Sequence, residues 1–288
     1  MDSIRKKIFV TGGSSFLGNE LINKLASSYE VIALENKSNL KSDKVIRVVR
    51  GNLENKDIWE SSLTEAEIVI HLAGITHTKN LSLYSKINTL GTISLINSCK
   101  KFGVKQFIFI STRAIGKNSG EYGASKEKAE DYLKNSGLVY TILRVSEAYD
   151  ENFNGKEGLS RLANLIKRSS IAPYLTNKEV TLAPIHKDDV QNSILAVINN
   201  QSTKNKTYTI AGPENLTLKQ IASRIGKYYK INIIFIPIPT FIAKSTFFIL
   251  SLFRLTTPDQ MQRMLSPKEP LSQNVLADLN ISPRKFLV

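Results

Sequence analysis

Residues 7–18 read Lys-Ile-Phe-Val-Thr-Gly-Gly-Ser-Ser-Phe-Leu-Gly. The first four have the apolar pattern of a short buried strand, and an amphipathic run from Asn19 to Leu25 follows the last glycine. A strand, a glycine-rich turn and a helix in this order are the context of a dinucleotide-binding loop. Glycine lets the backbone approach a pyrophosphate closely, and the amino end of the helix stabilises its negative charge. These residues therefore predict a dinucleotide-binding turn near the start of the chain.

A second strand pattern distinguishes between two dinucleotides. Residues 30–34 read Glu-Val-Ile-Ala-Leu, and Glu35 follows them, seventeen residues after Gly18. A carboxylate at this place accepts hydrogen bonds from the adenosine ribose hydroxyls and repels a 2′-phosphate. The pattern therefore favours NAD over NADP, although Lys37 and Lys41 lie close enough in sequence to weaken that preference.

Tyr122 and Lys126 indicate acid–base chemistry. They are four residues apart and fall on one face of a helix. An ammonium near a phenol lowers the phenol pKa from its usual value of about 10, so such a tyrosine transfers protons near neutral pH. Ser111 follows the apolar run Phe107-Ile-Phe-Ile110 and is placed to hold a substrate oxygen. An isolated Tyr-x-x-x-Lys pair is more often a solvated helix face, but the glycine-rich turn favours the chemical interpretation.

Strand and helix patterns alternate from Ile4 to about Leu143. This alternation predicts an α/β fold, a Rossmann-type doubly wound parallel sheet that binds ligands at the carboxyl ends of its strands. The pattern loosens afterwards. We therefore predict a dinucleotide-binding domain over residues 1–150 and a smaller C-terminal substrate lobe that takes up most of residues 151–288, with about 180–200 returning to the core.

Taken together, these motifs resemble the short-chain dehydrogenase/reductase superfamily in its NAD-dependent epimerase/dehydratase branch, over nearly the whole chain. Thr11, Gly12 and Gly18 match the family pattern Thr-Gly-x-x-Gly-x-x-Gly, in which Ser15 replaces the middle glycine. The run Val69-Ile-His-Leu-Ala-Gly74 resembles the family's fourth-strand signature, which lies beneath the cofactor.

The resemblance also assigns residues to the site. Asn88 matches the family's active-site Asn and completes, with Ser111, Tyr122 and Lys126, an Asn-Ser-Tyr-Lys tetrad. Asn52 stands where the family usually has an Asp that contacts adenine. The residues expected to bind the cofactor are Gly12, Ser14, Ser15, Phe16, Leu17, Gly18, Glu35, Asn52, Leu53, Leu72, Ala73, Gly74, Tyr122 and Lys126. The candidate substrate contacts are His77, Arg113 and Glu147.

The family chemistry implies that Tyr122 removes a proton from a sugar hydroxyl while hydride passes from the same carbon to NAD. Lys126 is then expected to hold the nicotinamide ribose. Family dehydratases usually carry an Asp-Glu pair after the catalytic Ser or Thr, whereas Thr112-Arg113 follows here. The resemblance therefore favours a sugar-nucleotide epimerase or a related oxidoreductase acting on a small-molecule substrate.

Three departures leave two alternatives open. Ser15 adds a side chain at the phosphate turn, Glu147 replaces an Asn usual in nucleotide-sugar enzymes, and the loop from Ser111 to Tyr122 is short. Pro237-Ile-Pro239, together with the stretches 257–265 and 281–286, resembles the atypical branch that contains the nucleotide-binding accessory subunit of respiratory complex I. The first alternative is therefore a structural or membrane-associated dinucleotide-binding module. The second is a reductase of a lipid-like substrate.

Composition limits other functions. The net charge of +14 is spread over the chain, and its short basic clusters lack interleaved aromatic residues, so we predict no nucleic-acid partner. Three histidines without metal-ligand spacing and a single cysteine, Cys99, predict neither a metal site nor a disulfide. The first six residues are too few and too polar for a signal peptide, so a cytoplasmic location is expected.

Two further contacts are predicted from the sequence. The apolar run over residues 241–255 is too short to span a bilayer, but its basic flanks suit peripheral contact with anionic lipid. By family resemblance, the helices that carry Asn88 and Lys126 are the expected surface of a homodimer.

Overall fold

The computed structural model describes residues 5–36, 45, 47–155, 158–176, 180–239, 258–266 and 268–287. The predicted membrane-contact segment 241–255 lies outside the described residues, as do Lys37 and Lys41. In the described part, no helix is long and apolar enough to cross a membrane. Peripheral membrane contact and a cytoplasmic location stay predictions.

The strands alternate with helices along the first half of the chain. The strands are β1 (Lys7–Thr11), β2 (Glu30–Glu35), β3 (Arg47–Arg50), β4 (Ile68–His71), β5 (Gln106–Thr112), β6 (Tyr140–Val145), β7 (Ala148–Tyr149), β8 (Ile171–Thr176), β9 (Thr181–Leu182), β10 (Ile185–His186), β11 (Lys206–Ile210), β12 (Leu216–Thr217) and β13 (Ile234–Pro239). The α-helices are α1 (Gly18–Leu25), α2 (Lys56–Trp59), α3 (Thr92–Lys101), α4 (Gly120–Lys134), α5 (Gly158–Ser169), α6 (Lys187–Val197), α7 (Leu218–Tyr229), α8 (Pro258–Leu265) and α9 (Val275–Leu279). Single turns of 3-10 helix cover Glu60–Thr64 and Gln201–Thr203, and a π-helical segment covers Tyr84–Gly91.

Seven strands form one parallel sheet in the order β11-β6-β5-β4-β1-β2-β3. The strand order reverses between β1 and β4, where Thr11 lies beside His71. Such a switch point opens a crevice at the carboxyl ends of the strands, which is where ligands bind in open α/β sheets. The predicted α/β fold with a Rossmann-type parallel sheet is therefore confirmed.

Side-chain alternation along β1 builds a core on each face of the sheet. Ile8 and Val10 point to the face that is covered by α1, α6 and α9, and Phe9 points to the face covered by α3 and α4. The central strands are apolar on both faces because helices cover both. This two-sided burial explains why the sequence pattern of β1 is a continuous apolar run.

A third apolar cluster lies in the C-terminal part of the chain. It joins α5, α7 and β8 to Tyr149, Phe153 and Phe286, whose rings pack against one another. Other C-terminal segments pack elsewhere, because α6 covers the main sheet and β11 extends it beside β6. The place of β11 in the main sheet was not predicted, and the boundary near residue 150 stays a prediction.

Candidate active site

The turn after β1 is packed too closely for a side chain at Gly12 and at Gly18. Gly12 has φ +74°, and a Cβ there would lie 2.6 Å from the Ala73 nitrogen at the end of β4. A Cβ on Gly18 would lie 2.5 Å from the Gly12 oxygen. The Ser15 hydroxyl accepts a hydrogen bond of 3.2 Å from the Gly18 N–H, the first residue of α1. The turn therefore presents bare backbone over the end of β4, which suits a pyrophosphate.

A buried polar network holds this turn to β4. Thr11 Oγ1 lies 2.6 Å from His71 Nδ1, His71 Nε2 lies 2.9 Å from Thr92 Oγ1, and the Ala73 N–H donates to Thr11 Oγ1. Because the Thr92 hydroxyl donates to the Asn88 carbonyl, Nε2 of His71 must carry the proton, and the Thr11 hydroxyl must donate to Nδ1. Burial, with the nearby positive charge of Lys126, holds the pKa of His71 well below its usual range. His71 is therefore a neutral structural residue.

The predicted adenosine contacts lie at the ends of β2 and β3. Glu35 is buried as the last residue of β2, in register with Arg50. Asn52 uses its side-chain oxygen to accept hydrogen bonds from the backbone N–H groups of Glu54 and Asn55, at 2.9 and 3.0 Å. The Asn52 amide thus organises the turn before α2, and its adenine contact stays a prediction.

Asn88 lies fully buried in the π-helical segment. Its amide donates to the Ile75 carbonyl and to the Ser125 hydroxyl, and its oxygen accepts from the Ile75 N–H at 2.8 Å. A π-helical turn widens the helix by one residue and is frequent at functional sites. Here Asn88 ties the loop after β4 to helix α4, which carries Tyr122.

The side chains of Lys126 and Asn88 both approach Gly74. A Cβ on Gly74 would lie 3.0 Å from Asn88 Oδ1 and 3.4 Å from Lys126 Nζ. The Lys126 ammonium donates a hydrogen bond of 3.0 Å to the Ile110 carbonyl and lies 4.6 Å from the centre of the Phe109 ring. Burial lowers the pKa of Lys126 to about 8, although the charge of Glu130 opposes the shift. The lysine is thus fixed beneath the loop that follows β4.

Ser111 lies near the end of β5 and is buried. Its hydroxyl oxygen has no hydrogen-bond partner among the residues that the structure describes. Buried hydroxyls without a partner are rare in folded proteins, because each carries an uncompensated desolvation cost. An orphan hydroxyl at the carboxyl edge of the sheet suits an oxygen atom of a ligand.

Tyr122 lies in the first turn of α4 and is 8% exposed. Its ring and that of Tyr84 pack edge to face, with 5.8 Å between the ring centres. Ser125, one turn further along α4, donates its hydroxyl proton to the Tyr122 carbonyl at 2.7 Å and accepts from Asn88. The backbone that carries Tyr122 is therefore linked directly to the Asn88 side chain.

The three candidate substrate residues lie in a region rich in cations. Arg113 is fully buried, and its Nη2 donates a hydrogen bond of 2.9 Å to Glu147 Oε2. Burial opposes ionisation of Glu147, but Arg113, a hydrogen bond from Ser146 and the charge of Lys268 hold its pKa below the usual range. Partial desolvation, followed by the charges of Arg263 and Arg161, lowers the pKa of His77 to about 4, although the residue is exposed at the surface. His77 is therefore neutral at physiological pH.

Helix α8 contributes two residues that the sequence analysis did not predict. Asp259 accepts a hydrogen bond of 3.1 Å from the Tyr122 N–H, and the Arg263 guanidinium lies 4.5 Å from the centre of the Tyr122 ring. Both belong to the stretch 257–265 that the sequence analysis noted for its resemblance to an atypical branch. Their spacing of four residues on one helix was the available signal, but it did not indicate what they contact.

The sequence of this chain is similar to a family model and to several known proteins. A model of the NAD dependent epimerase/dehydratase family matches residues 8–211. The UDP-glucose 4-epimerase of Vibrio cholerae is 24% identical over 251 residues, covering 77% of this chain and 75% of the relative. A ceramide reductase of Caulobacter vibrioides is 26% identical over 197 residues, covering 67% and 61%. The mitochondrial NADH-ubiquinone oxidoreductase 40 kDa subunit of Neurospora crassa is 22% identical over 229 residues, covering 76% and 59%.

Solved structures share the fold. A UDP-glucose 4-epimerase from Thermotoga maritima, crystallised with UDP-glucose, has a TM-score of 0.77 at 21% identity, covering 96% of this chain and 94% of that one. MoeE5 in complex with UDP-glucuronic acid and NAD has a TM-score of 0.78 at 17% identity, covering 98% and 95%. The similarity extends over the C-terminal part as well as over the main sheet.

Proposed function

The chain belongs to the NAD dependent epimerase/dehydratase family, and we propose that it catalyses the NAD-dependent epimerisation of a nucleotide-sugar or a related oxidoreduction of such a substrate. The observation that carries this proposal is the buried Ser111 hydroxyl, which has no partner among the described residues. It lies at the carboxyl edge of the sheet on β5, the strand whose Ile110 carbonyl holds the Lys126 ammonium. A ligand oxygen bound there satisfies a group that the protein itself leaves unpaired.

Family membership confirms three predictions from the sequence. The resemblance to this family was correct, the family is one of epimerase/dehydratase-type enzymes, and its cofactor is NAD. The residues that carry each role, the substrate and the preference over NADP remain part of the proposal.

The described residues fit a bound dinucleotide. The bare backbone of Gly12 and Gly18 suits the pyrophosphate, and the carboxylate of Glu35 suits the adenosine ribose. Lys126, held beneath the loop that follows β4 by its hydrogen bond to Ile110, is the residue that would hold the nicotinamide ribose. When bound, NAD would accept the hydride that leaves the substrate carbon bearing the reacting hydroxyl.

Proton transfer is assigned to Tyr122. Its phenolate removes the hydroxyl proton of the substrate, and the Ser111 hydroxyl donates a hydrogen bond to the same substrate oxygen. Lys126 supplies positive charge that stabilises the phenolate. Asn88 positions these groups, because its amide joins the loop after β4 to α4 through Ile75 and Ser125.

The charges near the site suit an anionic substrate such as a nucleotide-sugar. Arg113, Arg263 and Lys268 are cationic, while Glu147 and Asp259 pair with two of them. The carboxylate of Glu147 alone would repel a pyrophosphate, but its ion pair with Arg113 offsets that repulsion. His77 contributes a neutral imidazole because of its low pKa.

The proposal includes association of two copies of the chain. A homodimer through the helices that carry Asn88 and Lys126 is supported by two exposed side chains, Leu90 at 58% and Tyr132 at 38%. Apolar residues exposed on neighbouring helices suit a protein–protein interface.

A second candidate function is structural binding of NAD without turnover. The similarity to the complex I subunit of Neurospora crassa and the stretch that forms α8 favour it. A reductase of a lipid-like substrate is favoured by the similarity to the Caulobacter ceramide reductase. Each candidate predicts a different outcome when purified protein meets a panel of substrates.

The test begins with the identity of the cofactor that copurifies with the protein. UDP- and GDP-sugars are then assayed by product chromatography together with NADH absorbance, beside a ceramide-type ketone with NADH. Tyr122→Phe is compared with Tyr132→Phe, a matched control because Tyr132 lies on the same helix and donates its hydroxyl proton to Asn97. The proposal expects sugar turnover that only Tyr122→Phe abolishes.

Each alternative has its own result. Tight NAD binding without turnover supports the structural role, and turnover of the lipid-like ketone alone supports the reductase. Sugar turnover that survives Tyr122→Phe contradicts the assignment of the proton-transferring residue.

A further inference from the structure

Helix α8 lies against the amino-terminal turn of α4, where Tyr122 is located. Tyr122 is the third residue of α4, so its backbone N–H has no acceptor within that helix. The residue that precedes the helix, Ser119, makes no capping hydrogen bond with its side chain. Asp259 of α8 supplies the missing acceptor at 3.1 Å. A carboxylate at this end of a helix is also favoured by the helix dipole.

The close approach of the two helices depends on Gly120. This residue has φ +75°, and a Cβ there would overlap the Asp259 carboxylate. Asp259 itself is 3% exposed. A helix from the far end of the chain is therefore fixed to the backbone that carries Tyr122.

Arg263 lies one turn after Asp259 on α8. Its Nε is 3.1 Å from Asp259 Oδ2, an ion pair that lacks the alignment of a hydrogen bond. Its Nη2 donates a hydrogen bond of 3.0 Å to the Thr76 carbonyl, which also accepts from the Tyr84 hydroxyl. The guanidinium is therefore anchored on two sides.

The anchored guanidinium lies over the ring of Tyr122, with 4.5 Å between its central carbon and the ring centre. A cation over an aromatic face is attracted to the ring, and the attraction grows when the ring carries negative charge. Lys126 is anchored separately, through the Ile110 carbonyl. The ring of Tyr122 therefore lies against a cation from a distant part of the sequence.

We infer that Arg263, held by Asp259 and Thr76, is a positioning residue for Tyr122 that fixes the orientation of its ring and stabilises its phenolate. The inference rests on the proposed function, since it concerns the residue assigned to proton transfer. Hydride transfer and proton removal are otherwise unchanged: the hydroxyl proton still goes to the Tyr122 oxygen, and Arg263 exchanges no proton.

The test titrates the tyrosinate absorbance of the purified protein against pH and needs no substrate. Subtracting the curve of Tyr122→Phe from that of the wild type isolates Tyr122 among the ten tyrosines. The same subtraction is made in an Arg263→Gln background. We expect the Tyr122 midpoint to move to higher pH in Arg263→Gln and to return towards the wild-type position in Arg263→Lys. Gln262→Ala is the matched control, because Gln262 is exposed on the same helix.

The activity assay adds a second readout. If Arg263 stabilises the phenolate, Arg263→Gln lowers kcat at neutral pH by roughly five- to tenfold and recovers at alkaline pH, as expected for the loss of one cation–π contact. A purely structural role predicts a lower melting temperature with an unchanged pH profile. An unchanged Tyr122 midpoint in folded Arg263→Gln overturns the inference. Absence of sugar turnover in the wild type overturns the proposed function instead, because the titration is still interpretable.

Discussion

Nη2 of Arg113 donates a hydrogen bond of 2.9 Å to Oε2 of Glu147, and the Ser146 hydroxyl donates to the same oxygen at 2.7 Å. Arg113 is fully buried, so the pair places two opposite charges largely out of water. Removing one partner of such a pair leaves the other charge uncompensated, which costs more than the pair contributes. The stability of the folded protein is therefore expected to depend on the charge of Glu147.

Glu147→Gln is expected to lower the free energy of unfolding by about 2 kcal/mol, because buried Arg113 loses its counter-charge. Urea denaturation of the purified protein measures the change. Glu67→Gln is the control, since Glu67 pairs with Lys105 in an exposed ion pair and its loss has little effect. Equal, small effects of both substitutions contradict the prediction.

The same pair has a defined pH dependence. The pKa of Glu147 is lowered in the folded protein, so its contribution to stability is present above its unfolded pKa and is lost as pH falls through the folded value. The difference in stability between wild type and Glu147→Gln should therefore be constant near neutrality and shrink in acid, below the ordinary Glu pKa of about 4.3. A difference that grows in acid is the opposite result.

Lys126→Met is expected to abolish turnover and yet stabilise the protein at neutral pH. Burial lowers the Lys126 pKa to about 8, so the fold disfavours its charged form. A shift of two to three units corresponds to a gain of up to about 3 kcal/mol when the charge is removed. Below pH 8, Lys126 is protonated in both the folded and the unfolded wild type, so the full stabilisation by Lys126→Met is expected there. The stabilisation shrinks as pH rises from 8 towards the pKa of the unfolded chain, because Lys126 is then deprotonated in the folded protein but still protonated in the unfolded chain. Thermal unfolding from pH 7 to 10 checks both the sign and the window.

Gly18→Ala is expected to weaken NAD binding by more than about tenfold and to destabilise the fold, because its Cβ would lie 2.5 Å from the Gly12 oxygen. Gly158→Ala is the matched control, since a Cβ at the start of α5 meets nothing within 4 Å. Fluorescence titration with NAD and thermal unfolding measure the two effects. Wild-type affinity in Gly18→Ala contradicts the placement of the pyrophosphate.

Thr92→Val leaves the Nε2 proton of His71 without an acceptor, and we expect it to cost about 1–3 kcal/mol. Thr64→Val, at an exposed turn, serves as the control and should change little. His71 itself has a lowered pKa, so its neutral form contributes stability that is lost as pH falls below the unfolded value of about 6.5. The wild type should therefore lose more stability between pH 6.5 and 5 than His71→Gln does, as measured by urea denaturation at each pH.

Strands, turns and helices that depend on neighbouring residues were predicted from the sequence. The strand–glycine–helix pattern of residues 7–25 and the apolar run before Ser111 both indicated elements that the structure contains. Glu35 ends β2 as expected, because a carboxylate that follows an apolar strand emerges at the carboxyl edge of the sheet. The site roles of Tyr122 and Lys126 were predicted from their spacing and the family resemblance, and they stay predictions.

Contacts between distant segments could not be predicted in the same way. Lys206–Ile210 forms a strand whose place beside β6 depends on a long connection that returns to the sheet. The side-chain oxygen of Asn52, which stands at the expected adenine position, accepts hydrogen bonds in the next turn, and its adenine contact stays a prediction. Neither choice is encoded in the neighbouring residues alone, because each depends on which acceptor or edge the fold brings close.

Short-range sequence patterns are sufficient to predict the parallel sheet, the glycine turn and the helix face that carries Tyr122 and Lys126, because periodicity and glycine placement act over short distances. Which charges pair with one another depends instead on long-range packing. It placed Glu147 against Arg113 and brought Arg263 over the Tyr122 ring, more than a hundred residues away in the chain. Such pairs form because the burial of each charge requires a partner, and the packing of the helices determines which partner is within reach.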